Sequence, residues 1–314
     1  MNPIWRGVFE PWLILALAVL LDLALGEPAN RWHPVAWVGR GLAWARERGG
    51  KGGPAFLMCY GALAMLGVAL LVTAVVAGLV HVAQALGWLG VLLQAWLLKC
   101  AFAVKGLVLA AGEVRNALAS GQFEEARRLV GRSLVSRPTA ALSAEHVASA
   151  TVESVAENLT DSVVAPLFFY LLFGLPGAWA YRVINTADAM WGYREGELEY
   201  LGKPAALLDD LLNWVPARLA GLAIVVGAFV SGEAARDAWR TMVLDHSRTA
   251  SPNAGWTMAA MAGALGVALE KPGAYRLGAG ELPGVACIDR ALRVLMSASA
   301  IAVLVSVILA ELTR

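Results

Sequence analysis

Between Ala150 and Ser162 the sequence reads ATVESVAENLTDS, with Glu153, Glu157 and Asp161 spaced four and four. An α-helix turns every 3.6 residues, so this spacing stacks three carboxylates on one face. No Lys or Arg occurs from Pro138 to Tyr181, so the local sequence supplies no counter-charge. Like charges one turn apart destabilise a helix by about 0.2–0.5 kcal/mol per pair. A divalent cation removes that penalty, and Mg²⁺ is commonly held by one or two carboxylates together with substrate phosphates. The residues between the acids are small or apolar, and the helix runs on into Val163–Tyr170. A solvated acidic face fits that setting poorly. Asn158, beside Glu157, joins the group.

Three further clusters carry polar groups next to apolar runs, where an ionisable side chain costs about 2.5–3.5 kcal/mol on insertion scales. YRVINTADAMWGYR, Tyr181 to Arg194, sets Asn185 and Asp188 three apart beside Arg182, with Arg194 closing the stretch. LLDDLLNWVPARL, Leu207 to Leu219, places Asp209 and Asp210 just before Asn213, with Arg218 beyond Pro216. The segment from Asp245 to Gly266 holds His246, Arg248, Ser251 and Asn253 ahead of a small-residue helix. A helix N-terminus approached by Ser and Asn can bind phosphate or carboxylate. Each cluster has an ordinary alternative as a helix cap. His33, in a polar stretch after the first apolar run, is a weaker candidate of the same kind. No G-x-x-x-x-G-K-[ST], G-x-S-x-G or HExxH motif occurs, so a Walker loop, a nucleophile elbow and a zincin site are not indicated. Acids, amides and arginines remain, which suit metal-assisted handling of phosphates and carboxylates.

The elements that must position these groups are membrane helices. The chain has 314 residues, 59% hydrophobic and 16% charged, with a mean hydropathy of +0.62. Soluble domains average about 25% charged residues. Net charge is +1, so no bulk basic field invites nucleic acid. The three cysteines form no CxxC pair, which indicates neither a disulfide framework nor a zinc site. Apolar runs of spanning length appear at roughly 11–26, 55–80, 88–111, 163–182, 212–231 and 294–312. The first contains Asp22 and lacks an A-x-A site, so it reads as a retained helix. Gly87, Trp88 and Gly90 mark a tight hairpin, and Gly174, Pro176 and Gly177 break the fourth run into a kinked span or a re-entrant hairpin. Trp256–Leu269 is too short to span and reads as buried or interfacial, while Gly121–Arg137 reads as a soluble amphipathic helix. The expected fold class is all-α: a polytopic integral membrane protein with about five to six membrane helices plus re-entrant or interfacial helices. We expect a single membrane-embedded domain over 1–314 with a cytosolic helical insertion at about 112–162.

The blocks DLALGEP…HPVAWVGR, ATVESVAENLTDSVVAPLF, YRVINTADAMWGYR, LDDLLNWVPARL and SPNAGWTMAAMAGALGV, in this order, resemble the adenosylcobinamide-phosphate synthase family of cobalamin biosynthesis (CobD/CbiB). The resemblance covers about residues 20–310. It implies a multi-pass ligase of the bacterial inner membrane with its active site facing the cytoplasm. Its substrates would be adenosylcobyric acid, a corrinoid, and (R)-1-aminopropan-2-ol O-phosphate or ethanolamine phosphate. ATP and Mg²⁺ would be consumed or held, and adenosylcobinamide phosphate would result. Membrane lipid, a second copy of the chain or other enzymes of the pathway are the further partners implied, and nucleic acid is not. The residues singled out by type and spacing are of the kinds such chemistry needs: Glu153, Glu157, Asp188 and Arg218 are the expected catalytic residues, and Glu153, Glu157, Asp161, Asp209 and Asp210 the expected metal ligands. Asn158, Arg182, Asn185, Arg194, Asn213, His33, His246, Arg248, Ser251 and Asn253 would hold phosphates and corrin amides.

Two other readings compete. A UbiA-like, Mg²⁺-dependent intramembrane prenyltransferase also sets Asp and Asn at helical spacing, but the doubled Asp-rich block of that family is absent. A corrinoid transporter or scaffold would use buried acids and a broken helix as a pathway. Charge counting bears on all three. The 27–54, 112–162 and 232–293 connections carry five, five and seven Lys/Arg, whereas 183–211 carries two against six acids. Counted plainly, the three basic connections are cytoplasmic and 183–211 is outside. A cytosolic nucleotide requires instead that Asn185–Asp210 line a cavity reached from the cytoplasm, or that 163–182 be re-entrant.

Overall fold

The computed structural model describes residues 11–49, 52–193 and 195–312, so the candidate ligand Arg194 lies outside the described residues. In chain order the helices are α1 (Pro11–Leu25), α2 (Pro34–Arg48), α3 (Pro54–Gln84), α4 (Trp88–Ala101), α5 (Lys105–Ala119), α6 (Phe123–Ser133) and α7 (Ala144–Leu159). A π-helical turn at Thr160–Val164 joins α7 to α8 (Ala165–Trp191). Then follow α9 (Leu198–Leu201), α10 (Lys203–Leu212), α11 (Trp214–Val230), α12 (Ala235–Asp245) and α13 (Ala254–Leu265). A hairpin of β1 (Leu269–Lys271) and β2 (Tyr275–Leu277) precedes α14 (Val285–Leu312). Local signals explain most boundaries. Pro34 and Pro54 occupy first turns, where no intrahelical N–H is needed. Ser143 caps α7 by accepting from His146 N–H at 3.2 Å. Gly87, at φ 56°, makes the α3–α4 hairpin that the sequence marks.

The chain forms two compact units. The first comprises the described parts of Met1–Ala103, Ala165–Leu212 and Val305–Arg314. Here α3 packs along α8, and α1 along α4. Trp179 Nε1–H donates to the Leu97 carbonyl at 3.1 Å, and Tyr170 donates to the Pro11 carbonyl at 3.1 Å. Lys99, wholly buried on α4, sits 3.6 Å from Asp22 of α1 and 2.8 Å from Glu27. His33 Nδ1 accepts from Val35 N–H at the start of α2, while Nε2 meets Glu27 at 2.6 Å.

One end of this unit gathers several elements. Tyr60, two turns into α3, donates to the Ala45 carbonyl of α2 at 2.7 Å. Gly61 packs its backbone on the Leu201 carbonyl of α9 with no room for a Cβ, and Gly39 of α2 faces Met190 in the last turn of α8. The 27–54 and 183–211 connections therefore meet at the same end of α3, which corrects the charge-count reading that set them on opposite faces. That count treats every apolar run as a crossing. Gly174, at φ 67° and ψ −163°, breaks α8 just before Pro176, and a broken run need not cross.

The second unit comprises Val104–Val164 and Asn213–Leu304. Its centre is α13, buried on all sides between α11, α12 and α7, as a 12-residue helix too short to span requires. Gly263 lets α13 approach the Asp237 carbonyl of α12. Arg290 of α14 pairs with Glu233 at the α11–α12 turn. The amphipathic α6 packs on α5 and α7 through Ala126, Leu129 and Val130.

Four helical stretches are long and apolar enough to cross a membrane: Pro54–Gln84, Trp88–Ala119, Ala144–Trp191 and Val285–Leu312. A fifth arises if the pair Leu198–Leu212 and Trp214–Val230, bent by 52°, is one broken span. α1 has 15 residues and falls short of spanning by itself. The exposed positions on α3 include Leu63, Leu66, Leu70, Leu71, Val75 and Val82, the mark of a helix facing lipid.

Candidate active site

In the second unit, α7 carries the acidic stretch into a π turn. The wider turn ends the four-residue stack. Glu153 and Glu157 share the α-helical part, whereas Asp161 belongs to the π segment, where Asn213 Nδ2 donates to it at 3.2 Å. π turns often mark functional sites because they redirect a side chain within a continuous helix.

Glu153 is buried and far from unpaired. Its Oε1 accepts from Ser149 Oγ at 2.7 Å, its Oε2 from Tyr275 Oη at 2.8 Å, and Arg137 Nη2 stands 3.3 Å away. The counter-charge missing from Pro138–Tyr181 comes from one residue upstream, which corrects the reading of a face without cations. Burial, and then the Glu153 charge, push the Tyr275 phenol well above its usual range, so Tyr275 remains an O–H donor. The hairpin that presents Tyr275 is tied to α7 by Glu270 N–H, which donates to Ser149 Oγ at 2.8 Å.

Above these groups opens a cavity of about 290 Å³. Glu153 and Glu157 line one wall, Thr249, Ala250 and Ser251 another, and Arg137, Lys271 and Tyr275 complete it. Arg137 Nε is buried without a hydrogen-bond partner among the described residues. The first and fourth sequence clusters, about a hundred residues apart, thus meet across one cavity.

Behind the 249–254 segment, Arg218 lies between the rings of Trp214 and Trp256, 4.2 and 4.8 Å from their centroids. Its Nη1 donates to Asn253 Oδ1 at 3.3 Å, and Ser251 Oγ accepts from Asn253 N–H at 3.2 Å. The His246 ring packs on Trp256 at 4.1 Å. Cation–π contacts hold a guanidinium without neutralising it.

Other candidates lie apart from this cavity or are engaged in the fold. Asn158 donates back to the Ser154 carbonyl at 3.0 Å and accepts from Ser162. Arg248 pairs with Asp245 at 3.2 Å and lines a different cavity, of about 450 Å³. In the first unit Arg182 donates to Asn185, and Asn185 donates to Asp209 at 3.2 Å, so α8 and α10 share a polar link. Asp188 lies against Gly192, one turn on. Both His33 nitrogens serve the α1–α2 connection. Among the described residues no three His, Cys, Asp or Glu side chains converge as a ready-made metal cage.

Arg137, Lys271 and Tyr275 are absent from the set expected from sequence. The Pro-Gly pair at 272–273 between LEK and YRL was the available signal for a hairpin that could carry them.

Fold and site together define a polytopic, all-α membrane protein with a polar cavity of mixed charge. A family model described as CobD/Cbib protein matches residues 15–302. The chain is 44% identical over 276 residues, 86% of its length and 87% of the relative's, to "Cobalamin biosynthesis protein CobD" of Dehalococcoides mccartyi. It is 43% identical over 265 residues (84% and 86%) to "Probable cobalamin biosynthesis protein CobD" of Methanothermobacter thermautotrophicus. A protein of that same description from Pyrococcus abyssi is 40% identical over 288 residues, 91% of each chain. This chain belongs to the CobD/CbiB family. No solved structure matches it.

Proposed function

We propose that the protein is an ATP-dependent amide ligase of cobalamin biosynthesis. It would join adenosylcobyric acid to (R)-1-aminopropan-2-ol O-phosphate or ethanolamine phosphate and yield adenosylcobinamide phosphate. Family membership supports the pathway. The observation that carries the chemistry is the 290 Å³ cavity where Glu153 and Glu157 face Arg137, Lys271 and Ser251. Carboxylates and cations on one small cavity suit a ligand that bears both a phosphate and an amine.

The donor set fits a Mg²⁺ that brings its own ligands on a nucleotide, since Mg²⁺ needs only one or two protein carboxylates beside phosphates. Glu157, on the cavity wall, is the residue that would hold it beside the phosphates. Bound there, Mg·ATP would supply the phosphoryl group that activates an unreactive carboxylate, leaving ADP, and the activated carboxylate would lose phosphate when the amine attacks. Lys271, Arg137 and Ser251 bind phosphate oxygens. Glu157 orients the amine and accepts its proton. Arg218, Asn253 and His246 support the 249–254 wall. The active face is cytoplasmic, at the cell membrane.

The test is the purified protein in lipid nanodiscs with ATP, Mg²⁺, adenosylcobyric acid and ethanolamine phosphate, the amide being read by mass spectrometry. Wild type should form it and Glu157→Gln should lose at least about a hundredfold in rate, in the range of a general acid–base group. Absence of ATP-dependent amide from a monodisperse wild type rejects the ligase. Full activity in Glu157→Gln rejects that residue's role.

A further inference from the structure

Helix α2 has one packed face and one face that none of the described residues covers. Val38, Leu42 and Ala45 are buried against the first unit. Trp37, Arg40, Trp44 and Arg48, spaced three, four and four, form a single exposed stripe. Trp37 and Trp44 are 48% and 57% exposed. Arg48 lies over the Trp44 ring at 3.9 Å, and the preceding turn adds exposed Trp32 with Arg31 above it at 5.8 Å. Bare indoles in water are costly, so this face meets something that takes rings and cations together.

The neighbours fix the depth of the helix. Ala45 accepts from Tyr60, six residues into the spanning helix α3, which is about 9 Å along its axis. Gly39 meets Met190 in the last turn of α8. α2 therefore lies beside the end turns of two long apolar helices, where headgroups begin. With 15 residues, Arg40, Arg46, Glu47 and Arg48, it cannot itself span. Indoles at headgroup level and arginines reaching phosphates are what an interfacial helix presents. The whole chain is only +1, so three arginines beside this stripe are a local concentration, offset on α2 by Glu47 alone.

We propose that the Trp37–Arg40–Trp44–Arg48 stripe of α2 is a binding surface for anionic phospholipid headgroups. Arg40 and Arg48 pair with lipid phosphates, and the three indoles seat at the boundary of the acyl chains. The surface selects anionic over zwitterionic lipid, independently of whatever reaction the protein performs.

The experiment uses the full chain in detergent, titrated with phosphatidylglycerol or phosphatidylcholine. Bound lipid is counted by native mass spectrometry, and tryptophan quenching by brominated phosphatidylglycerol is read in parallel. Wild type should retain phosphatidylglycerol preferentially. The double variant Arg40→Gln/Arg48→Gln should lose roughly thirtyfold in affinity, about 1 kcal/mol for each basic residue. Arg40→Lys/Arg48→Lys should keep most of the preference, which separates charge from damage to the fold. Trp44→Ser should remove part of the quenching. Equal retention of both lipids by wild type overturns the proposal, as does unchanged preference in the Gln variant. A dimer in phosphatidylcholine that Trp44→Ser dissociates also overturns it, because a second copy then covers the face.

Discussion

At the residue scale, Glu153 shows how a candidate changes once its partners are known. Periodicity marks it as an acid on a crowded face, and that much is right. Sequence distance hides that Arg137 and Tyr275 converge on it from either side. Tyr275 is the more informative partner, because burial keeps its phenol protonated and fixes it as a donor. Tyr275→Phe removes that donor and leaves a buried carboxylate oxygen short of a bond. The expected cost is about 1–3 kcal/mol of stability, read as a lower unfolding midpoint in detergent. Lys271 is exposed and lines the cavity, where the proposed function gives it a substrate phosphate to bind. Lys271→Met should leave the unfolding midpoint unchanged and raise the KM for the phosphorylated amine by tenfold or more, the loss of one charge-assisted bond of about 1.5–3 kcal/mol. An unchanged KM places the phosphate elsewhere.

At the element scale, the α1–α2 connection is pinned by Glu27. Burial alone would raise its pKa, but hydrogen bonds to His33 and Lys99 and their charges win, and the net shift is downward. A depressed carboxylate stabilises the fold above its unfolded pKa and loses that contribution as pH falls through the folded value. The thermal midpoint should therefore hold steady near neutrality and drop on acidification below the ordinary carboxylate range. Glu27→Gln should lower the neutral midpoint and flatten the acid limb, and an unaltered acid limb would refute the assignment. Elements were the most legible level in the sequence. The hairpin at Gly87, the short buried α13, the amphipathic α6 and the break at Gly174 each follow from glycine, proline or length. The π turn was not legible, because an extra residue in a turn leaves no mark in hydrophobic spacing. It moves Asp161 off the stack that four-residue spacing implies and onto Asn213.

At the scale of the whole molecule, hydropathy identifies a membrane protein but charge counting along the chain misplaces one connection. Topology inferred by alternation fails wherever a helix is broken, and α8 is broken. Tyr60, Gly61 and Gly39 place residues 27–54 and 183–211 at one end of the first unit. Cysteines introduced as Glu47→Cys and Glu197→Cys, with the three native cysteines replaced, should react with a membrane-impermeant reagent from the same side. Labelling from opposite sides would contradict the arrangement. The candidate site was half legible for a related reason. Residue types and local spacing mark Glu153, Glu157, Ser251 and Asn253, but only the fold shows that Arg137 and Lys271 complete their cavity.

The buried Lys99 has a consequence for how the protein is made. Lys99 lies in the last turn of α4 and Asp22 near the end of α1, and an ionisable group within an apolar helix is costly to place in lipid alone. Asp22 leaves the ribosome 77 residues ahead of Lys99, on a helix too short to hold itself across a bilayer. Neither α1 nor α4 is then a good lipid segment until it finds the other. Joining the two helices brings the two charges within 3.6 Å of each other, so assembly of α1 with α4 offsets a cost that each helix would otherwise bear by itself.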